Sequence, residues 1–454
     1  MNIEALKGQR ILVVGLGVTG MSVVRYLLNN SIAFEAAVEC DEQAASSYRR
    51  QLAELTGARQ TQLLIDNFDA AVFSEYDLIV LSPGVPRSHP AIQAALENSV
   101  QVIGDIELFA GAVRKPVVAV TGSNGKSTVV AWLSFALQRA GINAVACGNI
   151  GQPALDALQT EAEFYILELS SYQLESTYAL KAVSATVLNV SEDHLDRYDD
   201  IEHYASVKRR LLDMSEHVVL NYDDDRTWPV GEISAQHEYF SVSAKKLPEV
   251  RWHRSVHADS PWLCDHDCRL LATHELQLPG EHNVANALSV IALAAPLGIG
   301  FSQLQDGLLA YAGLPHRTQF VGEKNGVRWY NDSKGTNVDA CRKAVLAMPG
   351  PVMLIAGGIS KGADFTALAE TLERCVKSLI LLGQDREQMA HQMSVVSDII
   401  MVDTLSEAVS VASDRASTGD VVLLSPACSS FDMFRNFEDR GNQFVTAVQE
   451  VLAA

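Results

Sequence analysis

The stretch from Pro116 to Thr128 constrains the fold of this chain more than any other. A β-branched run ends there in a glycine-containing turn, and an apolar helical pattern follows from Val129 to Ala140, where Gly141 stops it. A strand, a glycine turn, a Lys-Ser pair and a helix form a phosphate cradle, in which backbone N–H groups face the anion. There Lys126 neutralises phosphate charge and the Ser127 hydroxyl can hold Mg²⁺. The sequence therefore predicts an α/β nucleotide-binding domain in mid-chain.

The turn is a shortened variant of the common phosphate loop. Val120 stands where that loop has its first glycine, and Gly122 lies closer to Gly125. An ordinary strand-to-helix turn is the alternative interpretation, but the Lys-Ser pair between a strand and a helix favours phosphate binding. We expect the phosphates to be held by Gly122, Ser123, Asn124, Gly125, Lys126, Ser127 and Thr128.

The length and charge of the chain limit the classes of function. Its 454 residues are enough for about three domains. A formal net charge of -20 argues against non-specific nucleic-acid binding, and no apolar run approaches the length of a membrane span. Met1 leads directly towards a strand without a signal peptide, and seven scattered cysteines suit a reducing compartment. We expect a cytoplasmic protein, monomeric, that binds neither nucleic acid nor membrane.

The N-terminal region carries a second glycine-rich turn. A strand at 9–14 is followed by the G-x-G-x-x-G motif from Gly15 to Gly20, where a dinucleotide-binding fold needs it. A second strand ends at Glu39, where an acidic group can meet a ribose hydroxyl. This opening alone suggests a nicotinamide-dependent dehydrogenase, yet any nucleotide diphosphate fits such a turn. We place the end of this α/β domain near residue 105.

Two strands after the phosphate loop end in candidate metal ligands. Glu168 closes one apolar strand and His194 follows another, so both are expected to face the same phosphates. A solvated glutamate and a surface histidine are the alternatives. Residues 223–276 read as a peripheral antiparallel region of short strands and turns. Within it, Cys264 and Cys268 fit a hairpin better than a zinc site, because no second ligand pair has the required spacing.

A third α/β pattern occupies the C-terminal part of the chain. Unusually polar loops follow three of its strands, at 331–337, 357–364 and 425–432, and ligands bind at such positions in open α/β sheets. We therefore divide the chain into domains 1–105, 106–312 and 313–454. Two nucleotide-type domains and a third with ligand loops indicate an enzyme with several substrates.

Taken together, these motifs resemble the Mur ligase family of peptidoglycan precursor synthesis over essentially the whole chain. The resemblance rests on Gly15–Gly20, Thr121–Ser127, Leu167–Ser171, Glu192–His194, Gly313–Arg317, Asn331–Lys334 and Ser425–Cys428. It implies a Rossmann-like UDP-binding domain, a central P-loop ATPase-like domain and a Rossmann-like C-terminal domain. The last motif, continued to Gly441, resembles the member that adds D-glutamate to UDP-N-acetylmuramoyl-L-alanine. For that member, ATP converts the substrate carboxylate into an acyl phosphate, which the amine of D-glutamate attacks.

The resemblance implies two Mg²⁺ ions and a set of catalytic residues. Ser127 and Glu168 correspond to ligands of the first ion, and Lys126 is catalytic. His194 and Lys208 correspond to residues that serve a second ion and are catalytic as well. Because a cationic lysine cannot ligate Mg²⁺, Lys208 would have to be carbamylated; the alternative is one of three basic residues on a solvated helix.

The resemblance also assigns contacts to ATP and both substrates. For ATP beyond the phosphate loop these are Asn283, Asn286, Arg317 and Asp332. For the UDP substrate they are Leu16, Thr19, Glu39, Ser82, Asn149 and Ser171. For D-glutamate they are Lys334, Thr336, Lys361, Ser430 and Phe437. The chain departs from the family pattern at Ile359, which replaces an aspartate, and at Gly335, which replaces an alanine. Either Glu39-Cys40 or Asp41-Glu42 can be the counterpart of the usual Asp-Thr.

Three other functions are possible in principle. A folylpolyglutamate synthase is a related ligase but typically lacks a full N-terminal UDP-type domain. A nicotinamide-dependent dehydrogenase leaves the phosphate loop unexplained. A non-catalytic P-loop regulator predicts no phosphate release that depends on D-glutamate.

Overall fold

The computed structural model describes residues 3–56, 62–65, 68–194, 197–232, 234–243, 249–360 and 362–453. Three sheets follow one another along the chain, with five, nine and six strands. The central strands of these sheets are short apolar runs buried on both faces, as expected where helices cover a mostly parallel sheet. The predicted α/β class with three domains is confirmed. Among the described residues, no helix is long and apolar enough to span a membrane.

The first domain is a parallel five-stranded sheet in the order β3-β2-β1-β4-β5. Its strands are β1 (Ile11–Val14), β2 (Glu35–Val38), β3 (Leu63–Ile65), β4 (Leu78–Leu81) and β5 (Gln101–Ile103). Its helices are α1 (Val18–Asn29), α2 (Glu42–Thr56), α3 (Ala70–Phe73), α4 (Pro90–Glu97) and α5 (Asp105–Ala112). The direction of the strand order reverses between β1 and β4, so the turn after β1 opens at the point where such sheets bind ligands.

The second domain has nine strands in the order β14-β13-β12-β11-β10-β9-β6-β8-β7. They are β6 (Val117–Thr121), β7 (Ala144–Gly148), β8 (Phe164–Glu168), β9 (Ala182–Val187), β10 (Ser215–Asn221), β11 (Gln236–Ser241), β12 (Val250–His257), β13 (Ser260–Asp265) and β14 (Cys268–Ala272). The helices are α6 (Lys126–Arg139), α7 (Ala154–Ala157), α8 (Ser171–Leu174), α9 (Ile201–Asp213), α10 (Glu281–Ala294) and α11 (Phe301–Ala310). Strand β6 lies between β8 and β9, which brings the loops after all three strands to one edge.

The third domain has six strands in the order β15-β16-β20-β17-β18-β19. They are β15 (Gln319–Lys324), β16 (Val327–Asn331), β17 (Val352–Gly357), β18 (Val376–Leu382), β19 (Ile399–Met401) and β20 (Val421–Leu424). The helices are α12 (Val338–Leu346), α13 (Ala369–Cys375), α14 (Arg386–Gln392), α15 (Leu405–Arg415) and α16 (Phe437–Ala453). The three polar loops follow β16, β17 and β20, which are neighbours in the sheet.

The region 223–276 differs in part from the sequence prediction. Strand β11 pairs in parallel with β10, and β12 pairs in parallel with β11, so both extend the central sheet. Only the pairs β12–β13 and β13–β14 are antiparallel. The predicted hairpin at the cysteines is confirmed, with Cys268 opposite Asp265. Turn residues between short strands favour hairpins locally, whereas the parallel pairing depends on tertiary contacts that periodicity does not encode.

Candidate active site

The phosphate loop connects β6 to α6 through two glycines with positive φ. Gly122 has φ +150° and Gly125 has φ +86°, and L side chains rarely adopt either conformation. A Cβ on Gly125 would lie 2.7 Å from the Asn286 side-chain oxygen, so the loop passes directly beneath α10. The loop is further fixed by Asn189, whose side-chain oxygen accepts from the Asn124 N–H at 2.8 Å. Its geometry suits a phosphate group held by backbone N–H groups.

Lys126 begins α6 and folds back over this loop. Its ammonium donates to the carbonyl oxygens of Gly122 at 2.7 Å and Ser123 at 2.8 Å. Burial lowers its pKa, while the nearby Glu168 carboxylate acts in the opposite direction and Arg317 adds to the lowering. The ammonium is therefore held at the mouth of the cradle, where phosphate would supply the strongest compensating charge.

Glu168 ends β8 beside the loop and is 1% exposed. One carboxylate oxygen accepts from the Asn149 side-chain amide at 2.7 Å, and the other is buried without a hydrogen-bond partner among the described residues. A buried orphan oxygen is costly unless a cation satisfies it, so the site fits a divalent ion with Ser127. The part of the chain that the structure describes contains no group of three or more His, Cys, Asp or Glu side chains that could together hold a metal ion.

Lys208 reaches the same loop from α9 and is not a solvated surface residue. It is 1% exposed, its ammonium donates to the Gly122 carbonyl at 2.9 Å, and it lies 4.4 Å from the centre of the Tyr204 ring. Burial lowers the pKa of Lys208 well below its usual value, and the neighbouring Lys126 lowers it further. Two lysines that share one carbonyl oxygen are unfavourable as a pair of cations, and Lys208 is the more buried of the two, so it is the better candidate for a neutral amine.

His194 lies in the loop after β9, close to the phosphate loop. Its backbone is left-handed at φ +58°, and one ring nitrogen is 2.7 Å from the Tyr172 hydroxyl. The other ring nitrogen is 3.7 Å from a carboxylate oxygen of Asp193. The structure therefore brings His194 to the edge of the sheet that also carries Glu168. This is the placement expected for residues at the ends of two strands of one parallel sheet.

A cavity of about 90 Å³ lies between the phosphate loop, α10 and the third domain. Its walls include Asn124, Gly125, Thr128, His282, Asn283, Asn286, Arg317, Thr318, Asp332, Lys334, Gly335 and Lys343. Asn286 donates to the Asn283 side-chain oxygen at 3.1 Å, which orders both amides at the start of α10. Burial lowers the pKa of His282 to about 4, so this wall presents a neutral imidazole. Sequence reasoning missed His282 and Lys343, since neither belongs to a recognisable motif.

Arg317 and Asp332 bring the third domain to this cavity. The Arg317 guanidinium donates to the Ser127 hydroxyl at 2.6 Å. One Asp332 oxygen accepts from the Thr318 N–H at 3.0 Å and the other from the Ser425 hydroxyl at 2.7 Å. Burial raises the pKa of Asp332 to about 6, against the effect of these hydrogen bonds. Both residues therefore face the cradle held by the second domain.

Of the residues assigned to D-glutamate, Lys334, Thr336 and Ser430 lie in polar loops of the third domain, and Phe437 begins α16. The Lys334 ammonium lies 3.9 Å from the centre of the Phe437 ring, and burial lowers its pKa to about 8. Ser430 is 2% exposed, whereas Thr336 in the neighbouring loop is exposed. Lys361 lies outside the described residues. The structure therefore brings Lys334 and Phe437 into contact.

Arg440, which sequence reasoning missed, connects the same loops. Its guanidinium donates to the hydroxyl and carbonyl oxygens of Ser333, at 2.9 and 2.8 Å, and to the carbonyls of Cys428 at 3.3 Å and Gly357 at 3.4 Å. Ser333, Gly357 and Cys428 belong to three different polar loops, and Gly357 is the first residue of its loop. Burial lowers the pKa of Arg440 to about 10. The motif continued to Gly441 contains Arg440 but does not reveal this role, because the role depends on three distant strands meeting.

The N-terminal glycine turn borders a separate cavity of about 440 Å³. Its walls include the predicted Leu16, Thr19, Glu39 and Ser82, together with Tyr48, Phe68 and His89. The Ser82 hydroxyl donates to the Gly15 carbonyl at 2.7 Å, which joins the turns after β1 and β4. Asn149 and Ser171 do not line this cavity; they lie in the second domain beside and after Glu168. A long substrate would be needed to contact both groups.

Three domain families match the chain in order. The family described as Mur ligase MurD-like, N-terminal domain matches residues 9–104. Mur ligase middle domain matches residues 120–294, and Mur ligase, glutamate ligase domain matches residues 316–428. Solved structures agree in fold. A pseudomurein peptide ligase type C from Methanothermus fervidus superimposes with a TM-score of 0.61 at 18% identity, covering 98% of this chain and 100% of that one.

Curated relatives are similar over almost the whole length. The UDP-N-acetylmuramoylalanine--D-glutamate ligase of Nitrosococcus oceani is 42% identical over 446 residues, which cover 97% of this chain and 96% of that protein. The ligase of the same name from Hydrogenovibrio crunogenus is 42% identical over 454 residues, with 97% and 98% covered. From the order of its domains and from this degree of identity, the chain belongs to the Mur ligase family.

Proposed function

We propose that this protein joins D-glutamate to UDP-N-acetylmuramoyl-L-alanine with hydrolysis of ATP to ADP and phosphate. The full-length relatives carry the name of this activity. The observation that carries the proposal is the group of Lys126, Lys208 and Glu168 around one phosphate loop, facing the polar loops of another domain. Such a site can transfer a phosphoryl group to an acceptor held between domains.

The reaction needs two steps because a carboxylate is a poor electrophile. In the first, an oxygen of the L-alanine carboxylate attacks the γ-phosphorus of ATP, the bond to the β-phosphate oxygen breaks, and ADP leaves. In the second, the amine of D-glutamate attacks the acyl carbon, the amide forms, inorganic phosphate leaves and the amine loses a proton. Both steps bring anions together, so positioned cations lower the barrier.

Lys126 stabilises the charge that is transferred in the first step. Its ammonium is already held by hydrogen bonds to carbonyl oxygens of the loop. The side chain therefore needs little reorganisation when a phosphate binds there. Arg317 approaches from the other side and adds a second positive charge. Mg²⁺ held by Ser127 and Glu168 would neutralise further charge on the phosphoryl oxygens.

Lys208 is the residue that we assign to a second metal, together with His194. Carbamylation requires an unprotonated amine, and the burial of Lys208 next to Lys126 favours that form. The reaction with CO₂ forms an N–C bond, releases a proton and converts the amine into an anionic carbamate. An anion there would compensate Lys126 and offer oxygen ligands to Mg²⁺. A carbamylated Lys208 and two Mg²⁺ ions are therefore part of the proposal.

The substrates are assigned to the two remaining sites. The UDP group would occupy the cavity beside Leu16, Thr19, Glu39 and Ser82, and the muramoyl part would extend towards Asn149 and Ser171. D-glutamate would bind among Lys334, Thr336, Lys361, Ser430 and Phe437 in the third domain. We also propose that the protein acts in the cytoplasm as a monomer, that it engages neither nucleic acid nor membrane, and that its domains span 1–105, 106–312 and 313–454.

A phosphate-release assay tests the proposed reaction. With ATP, Mg²⁺ and UDP-N-acetylmuramoyl-L-alanine, release should require an added amino acid and should be fastest with D-glutamate. L-Glutamate and D-alanine serve as matched controls for stereochemistry and for the second carboxylate. Turnover that prefers a folate substrate, or no amino-acid-dependent release with any member of the panel, would contradict the proposal.

A further inference from the structure

The N-terminal turn of α12 touches the second domain directly. The Asn124 side-chain amide donates to an Asp339 carboxylate oxygen at 2.9 Å, although the two residues are 215 positions apart. Beside this contact, the Asn337 amide donates to an Asp193 oxygen at 3.3 Å. These four residues, Asn124, Asp193, Asn337 and Asp339, form what we call the interdomain clasp. They join the third domain to the phosphate loop and to the loop that carries His194.

Asp339 is held in place by two cations of its own helix. One carboxylate oxygen is 2.8 Å from the Lys343 ammonium and the other is 3.0 Å from the Arg342 guanidinium. Its side chain is 20% exposed. The neighbouring His282 faces the same group from α10 with a neutral ring. A carboxylate fixed in this way offers Asn124 a charge-assisted acceptor at small entropic cost.

A second contact between the same domains differs because it involves Ser127, the proposed metal ligand. The Arg317 guanidinium donates to the Ser127 hydroxyl, whose oxygen is also the proposed metal ligand. Because Mg²⁺ and Arg317 are both cations that seek this oxygen, metal-bound nucleotide weakens that contact. The interdomain clasp uses the side chain of Asn124 and engages no backbone N–H group of the phosphate loop. It can therefore persist while the nucleotide is bound.

We propose that Asp339 is a positioning residue that keeps the third domain closed on the phosphate loop through Asn124, and thereby raises the affinity for ATP. The inference deepens the proposed function, because closure brings Arg317 and Lys334 to the phosphates. Asp339 touches no reacting atom. It acts on the fraction of molecules that are competent to bind, and the apparent affinity scales with that fraction.

A mutant cycle with Asn124 tests the proposal. Asp339→Ala should raise the KM for ATP about tenfold, as expected for one charge-assisted hydrogen bond, and leave kcat at saturating ATP within about twofold. Asn124→Ala should raise the KM as well, and the double variant should be no worse than Asn124→Ala. Factors that multiply in the double variant would show independent actions and overturn the proposal.

Arg374→Ala is the matched control, because it removes an exposed arginine of the third domain that pairs with Glu370 of its own helix. It should keep the ATP KM and the melting temperature. Small-angle scattering gives a readout that does not depend on turnover. Without ligand and with Mg²⁺ and a non-hydrolysable ATP analogue, Asp339→Ala should have a larger radius of gyration than wild type and Arg374→Ala. Equal radii for all three would overturn the proposal even if the ligase reaction is correct.

Discussion

Two glycine turns in this molecule share a backbone design and differ in the charges around them. Gly15 after β1 has φ +84°, and Gly125 before α6 has φ +86°, so both turns present N–H groups at the start of a helix. Around the second turn lie Lys126, Lys208 and the Glu168 carboxylate. Of the described residues that line the cavity at the first turn, none is lysine or arginine. The two turns therefore share a backbone conformation, but the second has the cations and the acid that phosphoryl transfer needs.

The largest effect is expected at the centre of the charged turn. Lys126→Ala should reduce kcat by about 1,000-fold or more, because it removes the charge that the transferring phosphoryl group needs. Phosphate release measures this loss. Binding of UDP-N-acetylmuramoyl-L-alanine, followed by calorimetry, should be retained, since the first turn is untouched. Lys181→Ala, an exposed lysine of the same domain, is the control and should be fully active. Near-normal turnover of Lys126→Ala would contradict the proposed functional difference between the two glycine turns.

A smaller loss is expected at Lys208, with a chemical signature. If its carbamate ligates metal, Lys208→Ala should lose about 100-fold in kcat, and acetate or formate should restore part of it by supplying an anionic oxygen. Depletion of bicarbonate should slow the wild type and leave the alanine variant unchanged. A cationic lysine that steadies phosphate predicts rescue by small amines instead. Amine rescue without carboxylate rescue would leave His194 as the only assigned side chain at the second metal.

The uncharged turn can be disturbed by its geometry alone. A Cβ on Gly20 would lie 1.9 Å from the Gly15 carbonyl oxygen, so the backbone must move. Gly20→Ala should raise the KM for the UDP substrate about 30-fold, since a shift of the order of 2 kcal/mol is typical of such strain. Binding of an ATP analogue should stay within about twofold. A parallel loss of both affinities would indicate that the domain has unfolded, which circular dichroism checks.

The smallest effect on activity is expected at Asp105, which lies at the boundary between the first and second domains. Asp105 begins α5 and is 2% exposed. Burial raises the pKa of its carboxyl group to about 6 from the usual 3.8. Between these two values the folded state holds a proton that the unfolded state has lost, so stability falls as pH rises from about 4 to 6. Asp105→Asn should therefore gain melting temperature over wild type as pH rises through this window, by an amount equivalent to about 1–3 kcal/mol above pH 6. An identical gain at pH 4 and pH 8 would exclude ionisation as the cause.

The sequence predicts the charged turn better than its surroundings, for a physical reason. Lys126, Glu168 and His194 each follow a buried strand, and adjacent parallel strands must bring their ends together. The cavity wall formed by His282 and Lys343, and the contact of Asp339 with Asn124, depend on how two domains meet, which no local period encodes. Likewise β15 (Gln319–Lys324) and β19 (Ile399–Met401), at the edges of the third sheet, are partly exposed and carry weak apolar patterns.

The buried Arg440 has a consequence for selectivity. Most of its hydrogen bonds end on main-chain carbonyl oxygens, which every amino acid provides. The relative placement of the three loops is therefore insensitive to which side chains those loops display. Residues at neighbouring positions such as Thr336 and Phe431 can be substituted by directed evolution while the relative positions of the three loops are maintained. Altered preference for the incoming amino acid should thus be reachable by loop substitutions alone, and Arg440 is the one position that a selection library should leave fixed.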